Sequence, residues 1–426
     1  MYSDFFFGEG MGKLKELISY QIKSILSIDY NTRKFITSNF LFGLFNPFYF
    51  IFSNTYIYNI TKGSLEKNIV YCIFSFAGII FGFFICGFLS RKIPFKTLLI
   101  TGTWLMFITI LGLFTLRVNS NVPWITIILS GFLTGTGSGS YWSARNYLTN
   151  ELTNNKTRDF ISGIDYVLIN LGRIITPFII GIYLEYGIAH DWFAPGLAYQ
   201  SILIPALALA IFTTLSILRV ENSSKREKVE HFKPSNKWKY VRYLLYNLGF
   251  FQGAFFVVPS VFIMKYIGKE GMVGTLNAVG YIISTIFVFF ISSRSNINHR
   301  SKIMMFGATL FFIGAALFAI YIPFNPKTGT YFLIFSVFFA DSILNFPARA
   351  TIFNSIVDEI NNDSKDSYQY LTDVEIFSGF GRISGLIIFY LMFILLPVKI
   401  SLSLYIIGVS LIQFYSVRMS KKINGF

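Results

Sequence analysis

Twelve apolar stretches of about 20 residues dominate this chain, each long enough to cross the hydrocarbon core of a membrane. They run at 36–57, 68–90, 96–117, 122–146, 160–185, 199–219, 239–263, 271–292, 301–323, 330–352, 370–397 and 399–418. Lipid offers no partner to a backbone N–H or C=O, so each stretch is expected as a helix that satisfies its own backbone. The longest polar break, ENSSKREKVEHFKPSNKWK at 221–239, falls between the sixth and seventh stretches. The expected fold is therefore an all-α membrane protein of 12 transmembrane helices in two pseudo-symmetric six-helix bundles. An N-terminal segment (1–35) leads into the first bundle (36–220), a linker (221–238), the second bundle (239–419) and a short tail (420–426). Only 13% of residues are charged against 54% hydrophobic, too little charge to keep a soluble chain of this length dispersed.

The net charge of +15 has a matching explanation. Of 36 Lys and Arg, seven (Lys62, Lys67, Arg117, Lys265, Lys269, Lys327 and Lys399) fall on one side of the predicted bundle. Two more, Arg173 and Arg382, lie inside stretches, and the other 27 gather on the side of the linker and both termini. By the positive-inside rule that side is cytoplasmic. The excess charge then needs no nucleic-acid partner. No cleavable signal is expected, because the N-terminus lacks a basic start followed by an apolar core. Instead Leu14, Leu17, Ile18, Ile22, Ile25 and Leu26 recur at helical spacing around Lys15 and Lys23, the pattern of a short helix lying on a membrane surface.

Several function classes drop out. Cys72 and Cys86 share one apolar stretch and make no disulfide framework. His190, His231 and His299 have no metal-ligand spacing, so no metal or other cofactor is expected. No Gly-x4-Gly-Lys-Ser/Thr motif occurs to hold ATP. A membrane-embedded enzyme would need clustered His, Cys or paired acids deep in the bilayer, and only Asp341 is placed there. An open channel fits a two-fold repeated bundle with one midplane acid less well than a carrier does.

The two halves repeat. The fifth stretch carries LGRIITPFIIGIYL and the eleventh FGRISGLIIFYL. The fourth ends in SARNYLTNELTNNKTR and the tenth in PARATIFNSIVDEINNDSK. Each of these ends has Ala-Arg and then an acid seven residues before a base, Glu151 to Arg158 and Asp358 to Lys365. Several matches in the same order indicate a duplicated six-helix unit related by an axis along the membrane normal.

Twelve stretches, a basic central linker and parallel halves make the chain resemble the major facilitator superfamily, over almost its whole length from about residue 36. That family's signature loop, Gly-x-x-x-Asp-Arg-x-Gly-x-Arg/Lys, is similar to GFLSRKIPFK at 87–96. Gly87, Lys92 and Lys96 are kept, but Arg91 stands where the Asp belongs and Pro94 where the second Gly belongs. Glu151 and Arg158 resemble the family's acid–base pair in the loop after the fourth helix, so these residues, with Asp358, Lys365, Arg91 and Lys92, are candidate gating charges. The fifth stretch resembles an antiporter pattern through Gly163, Gly172, Thr176, Pro177 and Gly181, with Thr176 replacing a Gly. The resemblance implies a monomeric secondary transporter working by alternating access, with the fifth and eleventh helices flanking a central cavity.

Arg173 and Arg382 are the residues that most need a reason. Each falls near the bilayer midplane, where an unpaired Arg costs roughly 2.5–3.5 kcal/mol on insertion scales. Asp165 lies eight residues before Arg173, and Asp373 and Glu375 nine and seven before Arg382. At 1.5 Å per residue those acids are expected too far along the helix to neutralise the arginines. Asp341 is the one acid expected at midplane, able to serve one arginine and a candidate for proton coupling. Two cations with one anion point to a site for an anionic organic solute, a polycarboxylate metabolite or carboxylate siderophore, held by guanidinium forks. Asn46 and Gln252 are expected at similar depth as further substrate contacts. Efflux of a drug or metabolite is the alternative. The Ile-, Phe-, Asn- and Lys-rich usage indicates an AT-rich bacterial genome and hence the cell inner membrane.

Overall fold

The computed structural model describes residues 29–117, 121–153, 158–221, 234–292, 297–363 and 367–425, and these contain helices and no strand. Membrane-length helices follow one another as α1 (Tyr30–Ile60), α2 (Leu65–Leu89), α3 (Phe95–Phe114), α4 (Trp124–Leu152), α5 (Arg158–Ala189) and α6 (Pro195–Leu218). The second half continues with α7 (Trp238–Tyr266), α8 (Glu270–Ser292), α9 (Ile297–Tyr321), α10 (Pro326–Ile360), α11 (Ser367–Leu395) and α12 (Val398–Ile423). Eleven of them are both long and apolar enough to span. The exception is α4, whose 29 residues reach about 44 Å. Its apolar content is diluted by Gly, Ser and Thr, which let it press against α2, where Ser75 Oγ donates to the Gly131 carbonyl at 3.1 Å.

Local chemistry sets the helix ends. Asp29 caps α1 by accepting from the Thr32 amide at 2.9 Å, and Asn325 caps α10 through Thr328 at 3.2 Å. Pro94, Pro123 and Pro397 stand at the N-caps of α3, α4 and α12. The tight α1–α2 turn uses Lys62 at φ 55° and Gly63 at φ 79°. Among the described residues two helices carry π-helical turns. In α1 the turn Phe48–Phe52 follows Pro47, which lacks an N–H to continue the ladder. In α10 the turn runs Asp341–Asn345 and begins on Asp341 itself. Helices α5, α10 and α12 overrun their apolar stretches, so Asp358, expected in a loop, lies on a helical extension of α10. The surface helix expected at 14–28 lies outside the described residues.

The linker flanks, the start of α1 and the end of α12 share one side of the bundle, the basic side. Arg173 and Arg382 each stand 15 residues beyond their helix starts at Arg158 and Ser367, about 22 Å along the axis. The duplication is also visible in packing. A Cβ on Gly172 would lie 2.3 Å from the Gly43 carbonyl carbon, and one on Gly381 would lie 2.9 Å from the Gly249 Cα. Thus α5 crosses α1 as α11 crosses α7, backbone against backbone.

Between the halves, α5 packs on α8 and α2 on α11. On the side away from the linker, Glu185 pairs with Lys269 at 3.0 Å and Asn59 donates to Glu270 at 3.1 Å. Deeper in, Phe256 of α7 wedges between Phe50 and Phe76, with centroids 4.3 and 5.1 Å away. On the basic side, Tyr368 of α11 donates to the Phe83 carbonyl of α2 at 2.8 Å and meets Ser143 of α4 at 2.6 Å.

Candidate functional site

The two arginines sit in related but unequal settings. Arg173 of α5 lies over the Tyr281 ring of α8, its guanidinium carbon 5.9 Å from the centroid. Arg382 of α11 lies over the Phe76 ring of α2 at 5.3 Å. Phe76 and Tyr281 are 205 positions apart and the arginines 209, so the two stacks are mates under the internal repeat. Each guanidinium therefore faces an aromatic ring of the opposite half, where cation–π attraction operates.

Their anionic partners differ. Arg382 Nη1 is ion-paired with Glu375, and Arg382 Nε donates to Gln252 Oε1 at 2.8 Å. This corrects the expectation that Glu375 is too distant. Seven residues at 100° each return almost to the same helix face, and an Arg side chain leans towards the N-terminus of its helix and spans the two turns. Both groups are largely buried, with 14% and 16% of the side chains exposed. Arg173 has no such partner. Its Nε is buried without an acceptor, and no carboxylate pairs with it among the described residues. Asp165, eight residues before it, is turned about 80° around the helix and is taken by Arg145 of α4. Asp373, at similar depth in the other half, accepts two hydrogen bonds from Arg242, 2.9 and 2.8 Å, and one from Trp238 at 2.6 Å.

Asp341 opens the π-helical turn of α10 and accepts from Asn345 Nδ2 at 2.6 Å. Arg173 and Arg349 are the cations near enough for their charge to act on it. Arg173 acts likewise on Tyr49 of α1 and on Tyr281. Asn46 is buried and donates to Tyr49 Oη at 2.8 Å, so it orients the tyrosine. The tyrosines carried no sequence signal, being two among 25. Among the described residues no three His, Cys, Asp or Glu side chains gather as a metal site requires.

The expected gating charges fare unevenly. Glu151 is exposed in the last turn of α4, and Arg158 starts α5 with its side chain outside the described set. Asp358 is exposed, and Lys365 lies outside the described residues. The organised acid at that end is the next residue, Glu359, which is buried and accepts from the Ser235 amide at 3.1 Å and Tyr370 Oη at 3.0 Å. Arg91 and Lys92 are exposed after α2. Arg91, Gly87, Tyr368 and Asp373 line a cavity of about 360 Å³ between α2 and α11.

Residues 35–365 match the Major Facilitator Superfamily description. The chain belongs to this superfamily. The uncharacterized protein YqgE of Bacillus subtilis (strain 168) is 26% identical over 336 residues, covering 77% of this chain and 75% of that protein. The nucleoside transporter NupG superposes with a TM-score of 0.64 at 14% identity over 93% of this chain and 100% of that one. A bacterial homologue of the iron transporter ferroportin, in an inward-facing state, gives 0.66 at 13% identity over 93% and 98%. These likenesses establish the superfamily's fold. In this member three positions of the α5 pattern serve helix packing: Gly172 admits α1, Thr176 Oγ1 donates to the Leu44 carbonyl at 2.9 Å, and Gly181 meets Gly274 of α8, whereas Gly163 has no neighbour within 4 Å.

Proposed function

We propose that this superfamily member is a secondary transporter that moves a small organic solute bearing one anionic group by alternating access. The observation that carries the reading is Arg173, a guanidinium at the interface of the halves with no carboxylate of its own among the described residues. A half-buried cation whose Nε is sealed from water is costly to leave this way, and a substrate carboxylate or phosphate removes the cost. Arg382 enters the site already neutralised by Glu375, which narrows the expected polycarboxylate to a solute with one charged group. Tyr49 and Tyr281 supply hydroxyls and ring faces beside that charge.

Asp341 supplies coupling to protons. While ionised it competes with the substrate for the field of Arg173, and protonation removes the competitor. Proton and anion then bind with positive linkage, as a symporter requires. The cation asymmetry of the connections supports placement in a bacterial inner membrane with both termini cytoplasmic. The test is ligand-induced thermal stabilisation of the purified protein by monocarboxylates and phosphate monoesters, set against cationic dyes. Stabilisation by an anion supports the proposal, and stabilisation by cations alone contradicts it.

A further inference from the structure

Among the described residues a second guanidinium lacks a carboxylate partner, on a different pair of helices. Arg300, at the basic-side end of α9, is 9% exposed, yet its Nε and Nη1 meet no hydrogen-bond acceptor among the described residues. Those two atoms carry three of the five guanidinium N–H donors. Burying them unanswered is strongly unfavourable unless an anion completes the site.

Three other groups share the condition: Ser301 Oγ, Ser420 Oγ and Asn424 Nδ2 are buried without partners among the described residues. The antiparallel packing of α9 on α12 puts them on one level. Phe312 packs on Phe414 at 6.3 Å, and Lys399 Nζ donates to the Pro323 carbonyl at 3.1 Å. Counting back to Arg300 from the Pro323 contact gives the level of Lys422, and counting from Phe312 gives the last turn of the chain. Asn424 lies between these positions, and Ser420 is within a turn of Lys422. Neither α9 nor α12 contains an acid anywhere along its length. Lys302, Arg418, Lys421 and Lys422 are exposed around the same end, and neither helix brings a counter-ion of its own.

We propose that the basic-side ends of α9 and α12 form a binding site for a phosphate group, with Arg300 as its charged floor and Ser301, Ser420 and Asn424 as neutral donors. A tetrahedral oxyanion presents several acceptors in different directions, which suits a guanidinium fork surrounded by neutral donors from two helices. The phosphate can come from a lipid headgroup or from free phosphate in solution. The site stands where the apolar stretches give way to polar residues, and Met305 and Phe306, 41% and 57% exposed, lie just deeper along α9, where acyl chains would run.

The experiment uses the full-length protein, delipidated in detergent. One arm titrates phosphatidylglycerol and reads bound lipid by native mass spectrometry. The other reads the melting temperature against inorganic phosphate. Binding of the lipid, the free ion or both to the wild type supports the site and identifies the source. Arg300→Gln, tested as monodisperse protein, is expected to weaken that binding at least tenfold. Asn424→Ala removes a donor without touching the charge, and is expected to weaken it about threefold even if the Arg300 variant does not purify. Failure of both probes to bind the wild type, or an Asn424→Ala or folded Arg300→Gln protein that binds like wild type, overturns the proposal.

Discussion

Glu375 neutralises Arg382 from two turns away on the same helix, while Arg173, the repeat mate of Arg382, is left without a carboxylate among the described residues. A duplicated scaffold has thus been made electrostatically one-sided by a single acid, since the residue seven before Arg173 is Tyr166.

Removing that acid should make the halves alike. Glu375→Gln strips the counter-charge from a guanidinium that is 14% exposed, and breaking a buried pair in this way costs about 3–5 kcal/mol. The melting temperature of the purified variant should fall by several degrees. Its preference should also move from singly towards doubly charged organic anions, by roughly tenfold if the new site recovers about 1.4 kcal/mol. Unchanged stability and unchanged charge preference would show that Arg382 does not depend on Glu375.

The link between Asp341 and Arg173 fixes a sign for pH dependence. Wild-type affinity for the anion should rise as the pH falls, because protonating Asp341 removes a negative charge that competes for Arg173. Asp341→Asn should bind at the wild-type low-pH affinity throughout, with the slope gone, and should no longer accumulate substrate under a pH gradient. Binding assays across pH on the variant check this. A slope equal to wild type would remove Asp341 from the coupling.

Much of this was legible in the sequence because lipid permits so few backbone solutions. Stretch length, linker and the Gly-Arg-Ile repeat gave the helices and the correspondence of the halves, while the fourth stretch, read as apolar at 122–146, forms a helix less apolar than the other eleven. The site was only partly legible. Depth could be counted along each helix, but azimuth decides partnership. Asp165 and Glu375 are similarly distant in sequence from their arginines, and only Glu375 shares the arginine's face. The π-helical turn at Asp341 and the choice of Glu359 over Asp358 are settled by tertiary packing, which single-sequence periodicity does not encode.

The crossings of α1 with α5 and of α7 with α11 should tolerate no side chain. Gly172→Leu would drive its Cβ to 2.3 Å from backbone, and overpacking of this kind costs about 1–3 kcal/mol or more. Gly163→Leu on the same helix meets nothing within 4 Å and is the matched control. Size-exclusion profiles should show loss of monodisperse protein for Gly172→Leu and a near wild-type yield for Gly163→Leu. Equal behaviour of the two would contradict the close crossing.

The most direct test of the central claim is equilibrium binding of the stabilising anion to folded Arg173 variants. A charge-assisted hydrogen bond contributes about 1.5–3 kcal/mol, roughly ten- to a hundredfold in affinity. Arg173→Lys keeps the charge but loses the fork and should bind about tenfold more weakly. Arg173→Gln should lose about a hundredfold, while Arg382→Lys, still paired with Glu375, should lose less than either. Wild-type affinity in a monodisperse Arg173→Gln protein would show that Arg173 serves only to hold the helices together.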